Sequence, residues 1–511
     1  MFSHFFACTP STCDIVYMQK VHMIVNHLEM KQIEHNSGKS VSELMEAAGR
    51  AVAAELLELS RPGSVILMLA GKGNNGGDAF TAAGYLKDQG RICRVILLCG
   101  GPAADAAAEA FRRLDPSDIV PASSLEKELA GADMVVDAVF GFGFHGSLSK
   151  DLKQAFRLVN RSGKPVYSID INSGAESDSD AHDSDAVRSD VTFVLDCYKP
   201  FHMLRKEHQL FRETKLLDLG LPHDIPTEYY EMNEDLFFAG IPEKQEDAYK
   251  GTFGKITLVS GSYGMAGAAC LNLLGARAMG AGYINCALPE EIYPIAASQF
   301  MSVVFHPFWE DYWIEQILPL ISTSKAIGFG SGAVYMPKKR DVMDLILQYS
   351  KCPVVLDAEA LRLMIHNTYL FRFVKAPVII TPHIGEFADL IQKPIPYVQD
   401  HKVELAADFA RDYRVIVVLK GANTIVAGPA GEMYFNQSGN AALAQAGSGD
   451  LLTGIMTALL SYYCDTFRAV CMAVWIHGYL ADLAVQKHSI RGFDFSMIPS
   501  IMDELFNKHG F

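Results

Sequence analysis

The stretch from Asn440 to Gly454, NAALAQAGSGDLLTG, constrains the chain most. Small residues lead to Gly447, Ser448, Gly449 and Asp450, and an apolar run from Leu451 to Tyr462 follows. The pattern predicts a glycine-rich turn that opens onto a buried helix. The first N–H groups of such a helix have no internal partner. With the helix dipole they make an anion site. Gly447 and Gly449 let backbone approach a phosphate without side-chain obstruction. Asp450 then stands where a carboxylate could take a proton from a hydroxyl beside that phosphate. A glycine turn with Asp450 as an ordinary N-cap would give the same letters, and short glycine motifs recur by chance. The rest of the chain decides between them.

At 511 residues the chain is too long for one ordinary core, so two or three domains are expected. Its net charge of −15 argues against a nucleic-acid backbone as the main partner. A phosphorylated small molecule stays compatible, because a local array of N–H groups can hold it. Ten cysteines occur without a C-x-x-C pair, which reads as reduced thiols of a cytoplasmic protein. No apolar run is expected to reach membrane-spanning length. The opening MFSHFFACTPSTC lacks a basic n-region, so a signal peptide is not expected. Residues 1–22 read as an unstructured or mis-started extension, with Met18 or Met23 as alternative starts.

In chain order, Ser40 to Leu59 is a strong amphipathic helix with Leu44, Ala47, Ala48, Ala51 and Val52 on its apolar stripe. A buried strand, Ser64 to Ala70, precedes the loop GKGNNGGD and a second helix. Strand, glycine loop, helix is the opening of a parallel α/β domain. Arg94–Gly100, Asp133–Gly141, Pro165–Gly174 and Val191–Pro200 continue the strands, and Lys215–Pro222 closes the set. Glu176 to Asp190 is acidic and reads as a solvated excursion. A linker is placed near Gly240. Beyond it Lys255–Ser260, a glycine loop and a helix repeat the theme. Ala326–Gly332, Pro353–Leu361, Pro377–Phe387 and Arg414–Gly428 are further strands with polar ends. The expected division is 23–235 and 236–511.

Three strand ends of the first domain carry chemistry. Asn74, Asn75 and Asp78 follow one strand, Asp137 ends another, and Asp170 and Ser173 end a third. Adjacent strand ends would gather oxygen ligands suited to a hard cation. One of these Asp residues could also exchange protons with a substrate. Any single Asp could instead cap a turn; three at adjacent strand ends are harder to explain that way. NNGGD is unlike the G-x-G-x-x-G dinucleotide fingerprint.

LMEAAGRA, GKGNNGGD, DAVFGFGFHG and DINSG, in this order, resemble the NAD(P)H-hydrate epimerase family over about Ile24 to Pro222. The resemblance implies a Rossmann-like domain that interconverts R and S hydrates of NADH and NADPH with bound potassium. It places Asn74, Asn75, Gly76, Gly77 and Asp78 on the hydrated nucleotide. Gly141, Phe142, Gly143 and Phe144 join them, with His145, Gly146, Ser147 and the catalytic candidate Asp170. It assigns Asn75, Asp137 and Ser173 to potassium. Ala47, Ala79 and Asn172 depart from the family's usual Asn, Gly and Pro.

The second half resembles the ADP-dependent NAD(P)H-hydrate dehydratases, of ribokinase-like fold. It carries KGTFGKITLVSGS, GMAGAA, GFGSG, LDAEAL, TPHIGEF, LKGANT and NQSGNAALAQAGSGD. The resemblance assigns Lys420, Gly421, Ala422, Asn423 and Thr424 to the adenine nucleotide, with Asn440, Gly447, Ser448 and Gly449. It assigns Ala268, Gly332, His383 and Asp450 to the hydrated substrate, with Asp450 as base. Glu359 replaces the usual Asp of LDADAL. ADP, with Mg2+, would phosphorylate the hydroxyl of the hydrate, and loss of phosphate would restore the ring. The implied partners are these small molecules, in a homo-oligomer, with no nucleic acid and no membrane. Two other readings remain: a sugar or hydroxymethylpyrimidine-type kinase, and a first domain reduced to an interaction scaffold, as in relatives among RNA-decay factors.

Overall fold

The computed structural model describes residues 23–242, 254–463 and 465–511. The expected N-terminal extension, 1–22, lies outside the described residues. Apolar strand runs such as Val65–Ala70, with Ile66 to Ala70 fully buried, suit parallel sheets covered on both faces. Seven strands form the first sheet. Numbered along the chain within it, their order is 3-2-1-4-5-6-7, and every pair is parallel. The order reverses between Val65–Ala70 and Met134–Ala138, which is where a doubly wound sheet opens a crevice. The helix Val41–Leu59 packs on one face and starts with a capping box between Ser40 and Glu43.

The second sheet has ten strands. Seven run parallel in the spatial order Val304–Phe308, Tyr283–Pro289, Lys255–Val259, Ala326–Phe329, Val354–Leu356, Val378–Ile380, Ile416–Leu419. Ile425–Ala427 and Met433–Phe435 then continue antiparallel. The run Arg414–Gly428, one strand by hydropathy, is therefore a hairpin turned at Lys420 to Thr424. Val304–Phe308 is absent from the sequence reading. Pro307 breaks its pattern, and the structure tolerates it because the strand lies at the sheet edge. Together the two sheets make a Rossmann-like domain followed by a ribokinase-like one.

Several expectations change. The segment near Gly240 is a helix, Glu234–Gly240, with Phe237 and Phe238 buried in the second core. Tyr229–Tyr230 already pairs with Met433–Phe435, so the chain joins the second sheet ahead of position 235. The acidic stretch 176–190 is tied down. Asp183 pairs with Lys153, Asp185 with Arg157, and Asp180 with Lys402 of the second domain. Thr466–Lys487 is long and apolar enough to cross a membrane, contrary to the sequence reading. Its Cys471, Ala473, Ile476 and Ala481 are fully buried inside the second domain, so it serves as a core helix.

Two helices of that core, Ala266–Ala278 and Ser448–Leu460, cross at glycines. A Cβ on Gly454 would lie 2.0 Å from the Asn272 carbonyl oxygen, and one on Gly275 would lie 2.4 Å from that of Leu451. The contact is backbone against backbone, so no side chain can give way. Gly454→Val is expected to destabilise the second domain by about 3 kcal/mol, the upper end of overpacking costs. Urea unfolding measures it, and a loss below about 1 kcal/mol would contradict the packing described.

Candidate functional site

The first site is a cavity of about 640 Å³ at the crevice of the seven-stranded sheet. NNGGD forms no loop. Asn74 opens the helix Asn74–Asp88, so the motif is its first turn. Gly76 is required because a Cβ there would stand 2.2 Å from the Gly71 carbonyl oxygen. Asn74, Asn75 and Asp78 face the cavity, with Gly141 to His145 and Asp170 across it. Gly76 and Gly77 pack the helix and do not line it. Gly146 and Ser147 border a separate shallow groove beside Glu176 and Asp183.

Asp170 is held from all sides. It is a non-glycine residue at φ +64°, a conformation that costs free energy and persists only when its surroundings over-determine it. Its Oδ1 accepts from Lys199 Nζ at 2.7 Å and its Oδ2 from Phe142 N at 3.2 Å. His202 Nε2 contacts its carbonyl oxygen at 2.8 Å, while His202 Nδ1 accepts from Lys199 N. Burial, then the Lys199 charge, pushes the His202 imidazole down to about 3, so the ring is neutral and Nε2 carries the proton. Lys199 and Glu34 were not singled out in the sequence. Both line the cavity; Glu34 stands inside the helix His27–Asn36 with no glycine motif beside it, and Lys199, at the end of the run Val191–Pro200, belongs to none of the motifs that carried the resemblance. Burial, then the Asp170 charge, raises both the Asp78 and Glu34 carboxyls, Asp78 well above the usual range.

The three oxygen-donor candidates meet beside this cavity. Asp137 Oδ2 accepts from Ser173 N and Ser168 Oγ, both at 2.9 Å. Phe140 N donates to Ser173 Oγ at 2.9 Å, and Asn75 Nδ2 donates to Phe140 O at 2.8 Å. Asn75 Oδ1 is buried without a hydrogen-bond partner. A buried acceptor left unpaired is costly, and a hard cation would satisfy it. Asn172, which replaces the usual proline, builds a buried amide network instead. Its Nδ2 donates to Val187 O and Ser189 Oγ, and its Oδ1 accepts from Thr192 Oγ1.

The second site lies at the parallel strand ends of the ten-stranded sheet. Gly447, at φ +95°, is the N-cap of the helix Ser448–Leu460, with no side-chain cap. Asp450 is the third residue of this helix, within its first turn, and is not the N-cap. Asn272 Nδ2 holds the Asp450 carbonyl at 2.7 Å. Burial first, and the Asp357 charge second, push the Asp450 carboxyl up to about 6, against Ser331 and Lys420. Asp357 is itself buried. Its Oδ1 accepts from Lys420 Nζ at 3.0 Å and Thr381 Oγ1 at 2.8 Å, and its Oδ2 from Ser331 Oγ at 3.3 Å. Burial works to raise this carboxyl, but Lys420 and Thr381 hold it below the usual range. Lys420 thus sits within the carboxylate cluster, its Nζ 3.2 Å from where a Cβ on Gly449 would be.

The other residues that the resemblance assigned have these surroundings. Gly332, at φ +63°, meets Ala268: its Cβ would be 2.6 Å from that of Ala268. His383 caps the helix Ile384–Ile391 through Nδ1; its ring is exposed, and its backbone forms an isolated bridge with that of Lys420. Glu359 pairs with Lys339 at 2.6 Å. The Thr424 hydroxyl closes the Gly421–Thr424 turn; Ala422 is exposed and Asn423 buried. Asn440 donates to Asp482 Oδ1 at 2.8 Å. Asp357, Thr381 and Ser331 were missed, although LDAEAL, TPH and GFGSG each place a polar residue at a strand end.

Two parallel α/β sheets, each with a cluster of buried carboxylates and lysine at its strand ends, define the class of protein. The family model described as YjeF-related protein N-terminus matches residues 41–201, and the one described as NAD(P)H-hydrate dehydratase matches 256–503. The bifunctional NAD(P)H-hydrate repair enzyme of Thermofilum pendens is 30% identical, covering 88% of each chain. That of Gloeobacter violaceus is 30% identical, covering 92% of this chain and 95% of its own. The ADP-dependent (S)-NAD(P)H-hydrate dehydratase of Bacillus subtilis is 36% identical over 49% of this chain and 88% of its own. The solved ADP/ATP-dependent NAD(P)H-hydrate dehydratase of Bacillus subtilis, co-crystallised with ATP/Mg2+, is 32% identical. It covers 56% of this chain and 99% of that one, with a TM-score of 0.49. The chain belongs to the bifunctional NAD(P)H-hydrate repair enzyme family.

Lys199 and Asp170 are both nearly fully buried, at 1% and 3% side-chain exposure. Removing one partner of such a pair strands the other charge and costs about 3–5 kcal/mol. Lys199→Met should show that loss in urea unfolding of the first domain. A change under about 1 kcal/mol would mean that the pair is not what holds Asp170.

Proposed function

We propose that the chain repairs hydrated NADH and NADPH in two steps, epimerisation in the first domain and ADP-dependent dehydration of the S hydrate in the second. The observation that carries the reading is Asp450. Its carboxyl stands in the first turn of a helix that opens on Gly447, with its acidity weakened towards that of a usable base. Two catalytic domains in one chain also favour repair over the kinase alternative, which gains nothing from an attached epimerase. The retained Asn75, Asp137 and Asp170 speak against a mere scaffold.

In the first cavity Asp170 exchanges the proton that interconverting the epimers requires, and Lys199 fixes its position. Asn74, Asp78 and the segment Gly141 to His145, which line this cavity, bind the hydrated nucleotide. Asn75, Asp137 and Ser173 would hold potassium, which would supply positive charge there without exchanging a proton. In the second site ADP, as its magnesium complex, is the phosphoryl donor. The hydroxyl oxygen of the hydrate attacks the terminal phosphorus while Asp450 takes the hydroxyl proton. AMP leaves, and the backbone N–H groups of Gly447 to Gly449 stabilise the transferred phosphoryl charge. The ring carbon–oxygen bond of the phosphate ester then breaks and the neighbouring ring carbon gives up a proton, which releases phosphate and restores the double bond of NAD(P)H. The segments Lys420–Thr424 and Asn440 bind the adenine nucleotide; Ala268, Gly332 and His383 bind the hydrate. A reducing cytoplasm and a homo-oligomeric state complete the reading; the described cysteines are all free thiols.

Asp450→Asn keeps size and leaves the backbone donors in place, but it cannot accept a proton. Dehydration should fall by about 10²–10⁴-fold, while ADP binding and R-to-S exchange persist. Near-wild-type recovery of NADH would remove Asp450 as base. A base works only when deprotonated, so in the wild type kcat/KM for dehydration should fall as pH drops below about 6 and level off above it. A profile flat from pH 5 to 7 would contradict the assignment.

Potassium should matter to one reaction only. Replacing it with a large organic cation should slow epimerisation and spare dehydration of the S hydrate. Adding potassium back should raise the melting temperature of the first domain, because a ligand that binds the native state stabilises it. Equal slowing of both reactions, with no thermal shift, would count against the Asn75 site.

A further inference from the structure

The second domain's nucleotide segments do not stand alone. The hairpin turn Lys420–Thr424 and the loop after Met433–Phe435 lie against the helix Arg205–His208, which belongs to the first domain. Lys206 Nζ donates to Gln437 O at 2.8 Å and Gly439 O at 2.7 Å. Lys206 N donates to Asn423 Oδ1 at 2.8 Å. Glu207 Oε1 accepts from Asn423 N at 3.0 Å and would lie 2.9 Å from a Cβ on Gly421. Gln437 Nε2 returns a bond to Met203 O at 2.8 Å. Glu207 is itself fixed, since Lys402 Nζ pairs with its Oε2 at 3.1 Å and with Asp180 at 2.6 Å.

From this arrangement we infer that Lys206 and Glu207, residues of the epimerase domain, are positioning residues for the adenine nucleotide of the dehydratase. The inference rests on the proposed assignment of Asn423 and Asn440 to that nucleotide. One cation gathers the carbonyls of the 437–439 loop, and one carboxylate holds the Gly421–Asn423 turn. Asp482 fixes the other side of the same loop, through Gly439 N at 2.7 Å and Asn440 Nδ2. Removing the first-domain contacts leaves the loop held from one side only. The cost then falls on the affinity for ADP, because neither residue reaches Asp450 or the helix that carries it.

The test is Lys206→Met in the full chain, with Lys206→Arg beside it. Charge-assisted hydrogen bonds lost on the Met variant should raise KM for ADP about tenfold or more, with kcat at saturating ADP within about twofold. Epimerisation should not change. Arg keeps cationic donors for the carbonyls and should recover most of the ADP affinity. An unchanged KM for ADP in Lys206→Met overturns the inference. So does an equal loss of both activities in the Met and Arg variants, which would mark Lys206 as domain glue. Should Lys206→Met fail to fold, Glu207→Gln reads the same KM, with the same two outcomes. If the wild type binds ADP in calorimetry without dehydrating the hydrate, the functional reading fails. The inference is then judged on Kd for ADP, where an equal Kd in wild type and variant overturns it and about tenfold weakening supports it. Absence of ADP binding by the wild type overturns both.

Discussion

A buried ion pair, Lys199 to Asp170 at 2.7 Å, ties the first cavity to the segment that reaches the second domain. Taking two charges out of water is expensive, and their attraction repays it only with good geometry and further hydrogen bonds. Those bonds are present: Leu195 O for the ammonium, Phe142 N for the carboxylate, and neutral His202 for both backbones. The chain turns from Lys199 directly into the helices Pro200–Met203 and Arg205–His208. Leu204 between them is buried in the second domain's core. One short segment therefore carries a residue of the first cavity at its start and a contact with the second domain's loops at its end.

The second site solves a charge problem locally. A chain of net charge −15 gains nothing from long-range attraction of phosphates. Positive potential comes instead from the open end of the helix Ser448–Leu460 and from Lys420, which lies among the carboxylates of Asp357 and Asp450. The two carboxylates are pushed apart. Lys420 and Thr381 keep Asp357 ionised, whereas burial and the Asp357 charge move Asp450 up to about 6. Separated acidities of this kind are how neighbouring carboxylates take different roles.

Much of this was legible in the sequence, and the misses have causes. Glycine motifs marked both sites because close backbone approach leaves no room for a Cβ, as at Gly76 and Gly454. Strand ends marked Asp137 and Asp170 because open parallel sheets put their crevices there. Lys199 and Glu34 escaped, since a single lysine or carboxylate acquires meaning only from a partner distant in sequence; Asp357 escaped although it stands at a strand end like Asp137. The acidic stretch 176–190 looked solvated because its cations, Lys153, Arg157 and Lys402, sit on other elements. Hydropathy also ran two antiparallel strands together at Lys420, because a turn of small polar residues leaves the apolar pattern nearly unbroken.

The proposed repair requires two sites in one chain that act in succession. Incubating the protein with a mixture of R- and S-hydrated NADH, ADP, magnesium and potassium, and following NADH absorbance, tests it most directly. Recovery should approach the whole of the hydrate supplied, with AMP and phosphate released in equal amounts. Recovery that stops at the S fraction would contradict an active first site, and a stable phosphorylated product would contradict the dehydratase.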